Sequence, residues 1–334
     1  MKHQQSTIPD LLNNIITKAI DLGASDIHLE PREEYLRVRF RVDGLLKDDE
    51  PVHKSKQMSL ISRVKILVNL DIAENRLPQD GRTEVKLGKK AIDLRVSTLP
   101  TMHGQKVVLR LLNRGQLNLK LEDLGMEKAD LEIYRKMISK RSGLILVTGP
   151  TGSGKTTTLY TTLSELNSKE VNIMTTEDPV EYQLPGINQI QVNYKSGLTF
   201  SRSLRSILRQ DPDIIMVGEI RDLETAKIAV QSALTGHLVF STLHTNCAAS
   251  AVTRLTDMGI DSYLVEASVI GVIAQRLARK SSPDGYKGRI GIYEVMLGAK
   301  PHQGMKTLAD NGMLKVQQGI TTKEEIARVV YLDN

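Results

Sequence analysis

The sequence predicts an α/β protein: a mostly parallel sheet wrapped by helices, preceded by a small α+β domain and followed by a helical C-terminal part. Three observations lead there. Short apolar runs at 144–147, 171–175, 214–217 and 238–242 alternate with helix-spaced segments, the pattern of parallel strands buried on both faces. Well before them, residues 35–42 alternate strictly between basic and other side chains and meet a turn at Asp43-Gly44, which reads as a β-hairpin with one basic face. Between these regions Asn113-Arg114-Gly115-Gln116 is polar and carries a glycine, the composition of a linker. The boundaries expected are 1–113 for the first domain, 114–120 for the linker and 121–334 for the second domain.

Each element has its own signal. Thr7 and Pro9 open a segment with apolar residues at 11, 12, 15, 16, 19 and 20, and Gly23 closes it, giving a capped amphipathic helix. Residues 56–72 return to helical spacing. Strands are expected at Thr83–Leu87 and Ala91–Ser97, joined by Gly88-Lys89-Lys90, and at Val107–Leu112. The last ~80 residues read as mainly helical, with Thr321-Thr322-Lys323-Glu324-Glu325 as a capped helix start.

Composition narrows the class. Apolar content of 40% and charged content of 25% describe an ordinary globular protein. The net charge of +6 permits contact with nucleic acid or anionic lipid, but the 45 basic and 39 acidic residues are interspersed, which favours a solvated surface. Cys247 is the only cysteine, so an internal disulfide is excluded and a cytosolic setting is expected. No apolar stretch approaches the ~18 residues of a membrane span, and the polar N-terminus is unlike a signal peptide. Membrane association is therefore expected only through a partner or a surface face.

Residues 149–156 read Gly149-Pro150-Thr151-Gly152-Ser153-Gly154-Lys155-Thr156, which fits the phosphate-binding pattern G-x-x-x-x-G-K-[ST] at every fixed position. The context fits as well: Leu144–Val147 forms a strand before it, and Thr157-Thr158-Leu159-Tyr160 continues as a helix start. Such a turn aims several backbone N–H groups and the positive end of a helix dipole at one point. Lys155 adds charge for the β- and γ-phosphates, and the Thr156 hydroxyl is placed for Mg²⁺.

Other residues collect around this loop. Asp213–Glu219 is a buried-strand pattern ending in an acid, and Gly218 stands where many phosphate-loop enzymes carry Asp. Glu219 is then the acid at the strand tip, the position that holds Mg²⁺ or polarises water. Thr176-Glu177-Asp178-Pro179-Val180-Glu181 packs three acids into five positions. Acids this close need a cation among them, which is either Mg²⁺ or the arginines at 205, 209 and 221. His237 and His244 bracket an apolar run, so one or both can sit at strand ends near a nucleotide. Arg82 and Arg95 are candidates for arginines that one subunit supplies to the γ-phosphate bound by another.

With these motifs in hand, the chain resembles the secretion ATPase superfamily: hexameric traffic ATPases of type II secretion, type IV pilus assembly and competence systems. Four family boxes are matched in order: Walker A at Gly149–Thr156, the aspartate box at Thr176–Glu181, Walker B at Asp211–Asp222, and the histidine box from Thr235-Gly236-His237 through His244-Thr245-Asn246. The first domain matches through Gly23–His28, Arg39–Gly44 and Pro78–Arg82. The resemblance implies a RecA-like motor domain behind a PAS-like domain, and a homo-hexamer with ATP between the two domains. It implies nucleotide contacts from Gly149 through Thr157, and Mg²⁺ held by Thr156 and Glu219, partly through water. Catalysis would rest on Glu219, Glu177, Lys155, Arg82 and Arg95, with His237 and His244 sensing the γ-phosphate. The expected partner is an inner-membrane platform protein, which would hold the enzyme at the inner face of the membrane without direct contact with nucleic acid. The alternatives are a DNA-translocating, conjugation-type ATPase and a retraction-type pilus motor. Many relatives carry a four-cysteine zinc module ahead of a G-Y-x-G-R-x-G segment. Here Gly285–Gly291 keeps that segment but Lys280-Ser281-Ser282-Pro283-Asp284 stands in place of the cysteines, so no zinc is expected. The extra N-terminal domain of many relatives is not matched.

Overall fold

The computed structural model describes residues 7–87, 90–113 and 119–331. The chain divides into two compact units, Met1–Gln116 and Leu117–Asn334. The expected linker falls largely on 114–118, and the turn at Gly88-Lys89 likewise lies outside the described residues.

In the first unit α1 (Ile8–Asp21) starts at Thr7, whose side chain accepts from the Asp10 N–H. Then come β1 (Asp26–Pro31), β2 (Tyr35–Val42), β3 (Leu45–Asp48), β4 (Val52–His53), α2 (Lys54–Leu67), β5 (Gln79–Leu87), β6 (Lys90–Thr101) and β7 (Gly104–Asn113). The strands form one antiparallel sheet in the order β3-β2-β1-β7-β6-β5, with β4 beside β2. The β2–β3 turn has positive φ at both Asp43 (49°) and Gly44 (86°), the conformation that suits a two-residue hairpin. Ile27, Leu29, Val38, Phe40, Val107 and Leu109 face α1 and α2 across a shared core. The basic residues of β2 are matched by acids: Arg37 binds Asp48, and Arg39 binds Glu30.

The second unit continues with α3 (Lys128–Ile138), β8 (Gly143–Thr148), α4 (Lys155–Leu166), β9 (Ile173–Glu177), β10 (Asn188–Gln191), α5 (Phe200–Ile207), β11 (Ile214–Val217), α6 (Leu223–Leu234), β12 (Leu238–Leu243), α7 (Ala248–Asp257), α8 (Ser262–Ser268), β13 (Val269–Ser282), β14 (Gly285–Leu297), α9 (Leu308–Gln317) and α10 (Lys323–Val329). The sheet order is β10-β9-β11-β12-β8-β13-β14. All neighbours pair in parallel except β13 and β14. Leu144 and Leu146 enter one core with Ile215, Val239 and α5–α7, whereas Ile145 and Val147 enter the other with Met216, Phe240 and α3–α4. The continuous apolar runs in the sequence are thus strands covered on both faces.

The expectation of a mainly helical C-terminal stretch is corrected in part. Helices α8, α9 and α10 are there, but residues 269–297 form a long β-hairpin. Val269-Ile270-Gly271-Val272-Ile273-Ala274 is an apolar run buried from both sides, so it lacks the period of two that marks a half-exposed strand. Ser282 pairs directly with Gly285, so Pro283-Asp284 closes the hairpin where the family's cysteine module would fall.

Candidate active site

The loop after β8 is built by its glycines and by β13. Gly149 has φ 149°, and a Cβ there would lie 2.5 Å from the Gln275 carbonyl oxygen. Gly154 has φ 91°, and its Cβ would lie 2.7 Å from the Gln275 side-chain nitrogen. Both positions therefore require glycine for conformation and for space. Gln275 is itself buried and accepts a hydrogen bond from Thr158 of α4 at 2.8 Å. Lys155 donates to the Gly149 and Pro150 carbonyls at 2.7 and 3.1 Å, so its ammonium lies over the loop. Burial, with help from Arg276 and opposed by Glu219, lowers its pKa to about 8. Ser153 Oγ is buried without a hydrogen-bond partner, an orphan that a phosphate oxygen satisfies. Thr156 is exposed beside it. The loop thus fits a nucleotide polyphosphate with an accompanying Mg²⁺.

Because β8, β9, β11 and β12 run in parallel and in register, their carboxyl ends share one edge of the sheet, where ligands of such sheets bind. Glu219 leaves the end of β11 there. One of its oxygens accepts from Arg221 at 2.6 Å, and the other lies 3.8 Å from His244 Nε2. His244 follows β12; burial and then Lys155 hold its pKa below the ordinary value. Tyr194 and Asp178 lie close enough to Arg221 to act on it electrostatically. Lys155, Glu219, His244, Arg221, Asp178 and Tyr194 are therefore brought together.

Two expected contributors are placed elsewhere. His237 precedes β12 at its opposite end: its carbonyl accepts from Gly143 at the start of β8, and its ring bonds the Ser232 carbonyl. Six strand residues at about 3.3 Å each separate it from the loop edge, so within the chain it does not reach the nucleotide site. Glu177 is 4% exposed and turned into a network of its own. It accepts from Thr175 at 2.5 Å, from Gln189 at 3.1 Å and from Tyr160. Burial raises its pKa against those donors. Asp178, one residue on, is the aspartate-box acid whose charge acts on Arg221.

In the first unit, Arg82 and Arg95 stand directly opposite each other on β5 and β6. The same cross-strand row continues through Arg110, Asp26 and Arg41. Directly paired residues share a face, so four arginines line one stripe. Asp93 holds Arg82 at 3.0 Å, and Asp26 holds Arg110 at 3.0 Å. Sequence reading found two of the four, because register is not visible before the strands are paired. Gln275 and Arg276 were missed for the same reason, inside a stretch read as helical.

The fold and the loop define a P-loop nucleoside triphosphatase of the doubly wound α/β class. The chain matches the family described as "Type II/IV secretion system protein" over residues 1–328. It is 47% identical to the type II secretion system ATPase E of Vibrio cholerae, covering 96% of this chain and 74% of that one. That alignment runs over 374 residues, more than the 334 of this chain, so the relative carries segments without a counterpart here. Among solved structures, the pilus retraction motor PilT with bound ADP is 29% identical with a TM-score of 0.69, covering 96% of each chain. The Legionella pneumophila ATPase DotB, at 21% identity, has a TM-score of 0.76 and covers 98% of this chain and 97% of that one, a likeness of fold. The chain belongs to the type II/IV secretion system protein family, and it is an ATPase of the type II secretion kind. Among the described residues no helix is long and apolar enough to cross a membrane.

Proposed function

We propose that this ATPase works as a six-membered ring that assembles a pseudopilus for type II protein secretion, pushing or turning an inner-membrane platform protein from its inner face. The observation that carries the reading is the convergence of Lys155, Glu219 and His244 at one phosphate loop. ATP lies with its phosphates on the N–H groups of residues 149–157 and on Lys155. Thr156 and Glu219 would hold Mg²⁺, which when bound would neutralise charge on the phosphates. Glu219 orients the attacking water and takes up its proton. Asp178 adds negative charge near Arg221, and Glu177, buried behind the site, fixes Tyr160 of α4. Arginines of the stripe, Arg82 and Arg95 with Arg110 beside them, stabilise charge developing on the γ-phosphate from another part of the ring.

The greater similarity to a type II secretion ATPase than to a retraction motor supports secretion over retraction. Deleting the gene in its host and restoring either the parent or the Lys155→Ala form tests this. Loss of extracellular enzymes with pilus retraction and DNA uptake intact, restored only by the parent, is the expected result. Intact secretion with lost retraction or DNA uptake contradicts it. ATP turnover stimulated by DNA and steeply weakened by salt supports the DNA-translocating alternative instead.

A further inference from the structure

Arg276, on β13, is 9% exposed and has no carboxylate within ion-pair distance among the described residues. Its guanidinium donates to two backbone carbonyls, Gln275 at 3.0 Å and Asn246 at 2.9 Å. The acid with the largest influence on it, Glu294, is occupied with the N–H groups of Ala248 and Leu308 at 2.7 and 3.2 Å. One guanidinium nitrogen lies 3.1 Å from where a Cβ on Gly149 would stand. A buried cation without an anion is costly, and Lys155 places a second cation over the same loop. Asn246 belongs to the segment that follows His244. A second tie joins that segment to β8, since the Thr245 N–H donates to Thr148 Oγ1 at 2.9 Å.

We infer that Arg276 is a positioning residue for the ATPase site: by bridging the Gln275 and Asn246 carbonyls it fixes β13, which packs against Gly149 of the phosphate loop, to the segment after His244, and it supplies buried charge whose counter-ion is the nucleotide polyphosphate. The inference rests on the ATPase reading. Two consequences separate. The charge acts on nucleotide affinity, because it lies under the loop. The bridge acts on turnover, because it sets His244 and Glu219 against the loop. Lysine keeps the charge but lacks the planar fork that spans two acceptors.

The test measures ATP affinity by calorimetry and turnover by phosphate release, for the parent, Arg276→Gln, Arg276→Lys and Lys155→Ala. Arg276→Gln is expected to weaken ATP binding roughly tenfold. Arg276→Lys is expected to bind ATP within about threefold of the parent yet turn it over about tenfold more slowly. The inference is overturned if Arg276→Gln binds and hydrolyses ATP as the parent does, or if both variants lose activity only in proportion to their folded fraction with affinity unchanged. Should Arg276→Gln fail to fold, the lysine variant decides: parent-like turnover overturns the inference. A parent protein that neither binds nor hydrolyses ATP sinks the ATPase reading instead, and Lys155→Ala marks that baseline.

Discussion

Arg221 donates to Glu219 at 2.6 Å, and this pair fixes which oxygen of the strand-tip acid faces His244. Only Ile220 separates the partners, so the contact follows from the turn between β11 and α6. The charges of Tyr194 and Asp178 also favour the Arg221 cation. The strand-tip acid is thereby oriented by a cation from its own motif.

Arg221→Gln leaves Glu219 in place but frees its carboxylate to rotate. Turnover is expected to fall about tenfold, the loss of one charge-assisted hydrogen bond, with KM for ATP within about twofold. Steady-state kinetics check the split; a raised KM with unchanged kcat places Arg221 in substrate binding instead.

The two histidines separate by position. His244→Ala is expected to lower turnover, since the ring sits beside Glu219 and Lys155. His237→Ala is expected to leave ATP affinity within about twofold of the parent, because the residue lies at the far end of the six-residue β12. Calorimetric titration with ATP distinguishes them.

Lys155, with its pKa lowered to about 8, loses its charge sooner than an ordinary lysine. ATP affinity is expected to be constant from pH 6.5 to roughly 7.5 and to fall as pH rises through about 8. Arg276→Gln removes one of the causes, so the fall should move to higher pH. Binding titrations across this range give the midpoint directly.

Glu325 is 1% exposed, and burial alone would raise its pKa. Arg328 and Arg279 outweigh burial and hold it at about 2. A carboxylate lowered in this way stabilises the fold above its unfolded value near 4.3, and that contribution is lost as pH falls toward 2. Acid unfolding followed by circular dichroism should show a smaller drop between pH 5 and 3 in Glu325→Gln than in the parent. An identical drop in both removes Glu325 from the acid response.

The sequence made the phosphate loop, the parallel strands and the Asp43-Gly44 hairpin legible, because each rests on local chemistry: glycine conformation, apolar runs and turn residues. What escaped depends on register or on side-chain direction. Glu177 and Asp178 are neighbours in sequence, yet one enters the Tyr160–Gln189 network and the other faces Arg221. A strand buried on both faces gives no alternation by which to tell them apart. His237 and His244 bracket an apolar run in the sequence, and the six residues of β12 carry them to opposite edges of the sheet, which the run by itself does not disclose. Gln275 and Arg276 lie under the phosphate loop only because β13 pairs beside β8, with Ala274 opposite Thr148. No local pattern announces that pairing.

Residues 149–156 are predicted to seat a polyphosphate that is cleaved there. Phosphate release by the purified protein with ATP and Mg²⁺, compared between the parent and Lys155→Ala, addresses this most directly. Turnover by the parent that falls to background in the variant, with both chains equally folded, is the result predicted. Equal turnover by the two, or none by the parent under conditions where it forms its ring, contradicts it.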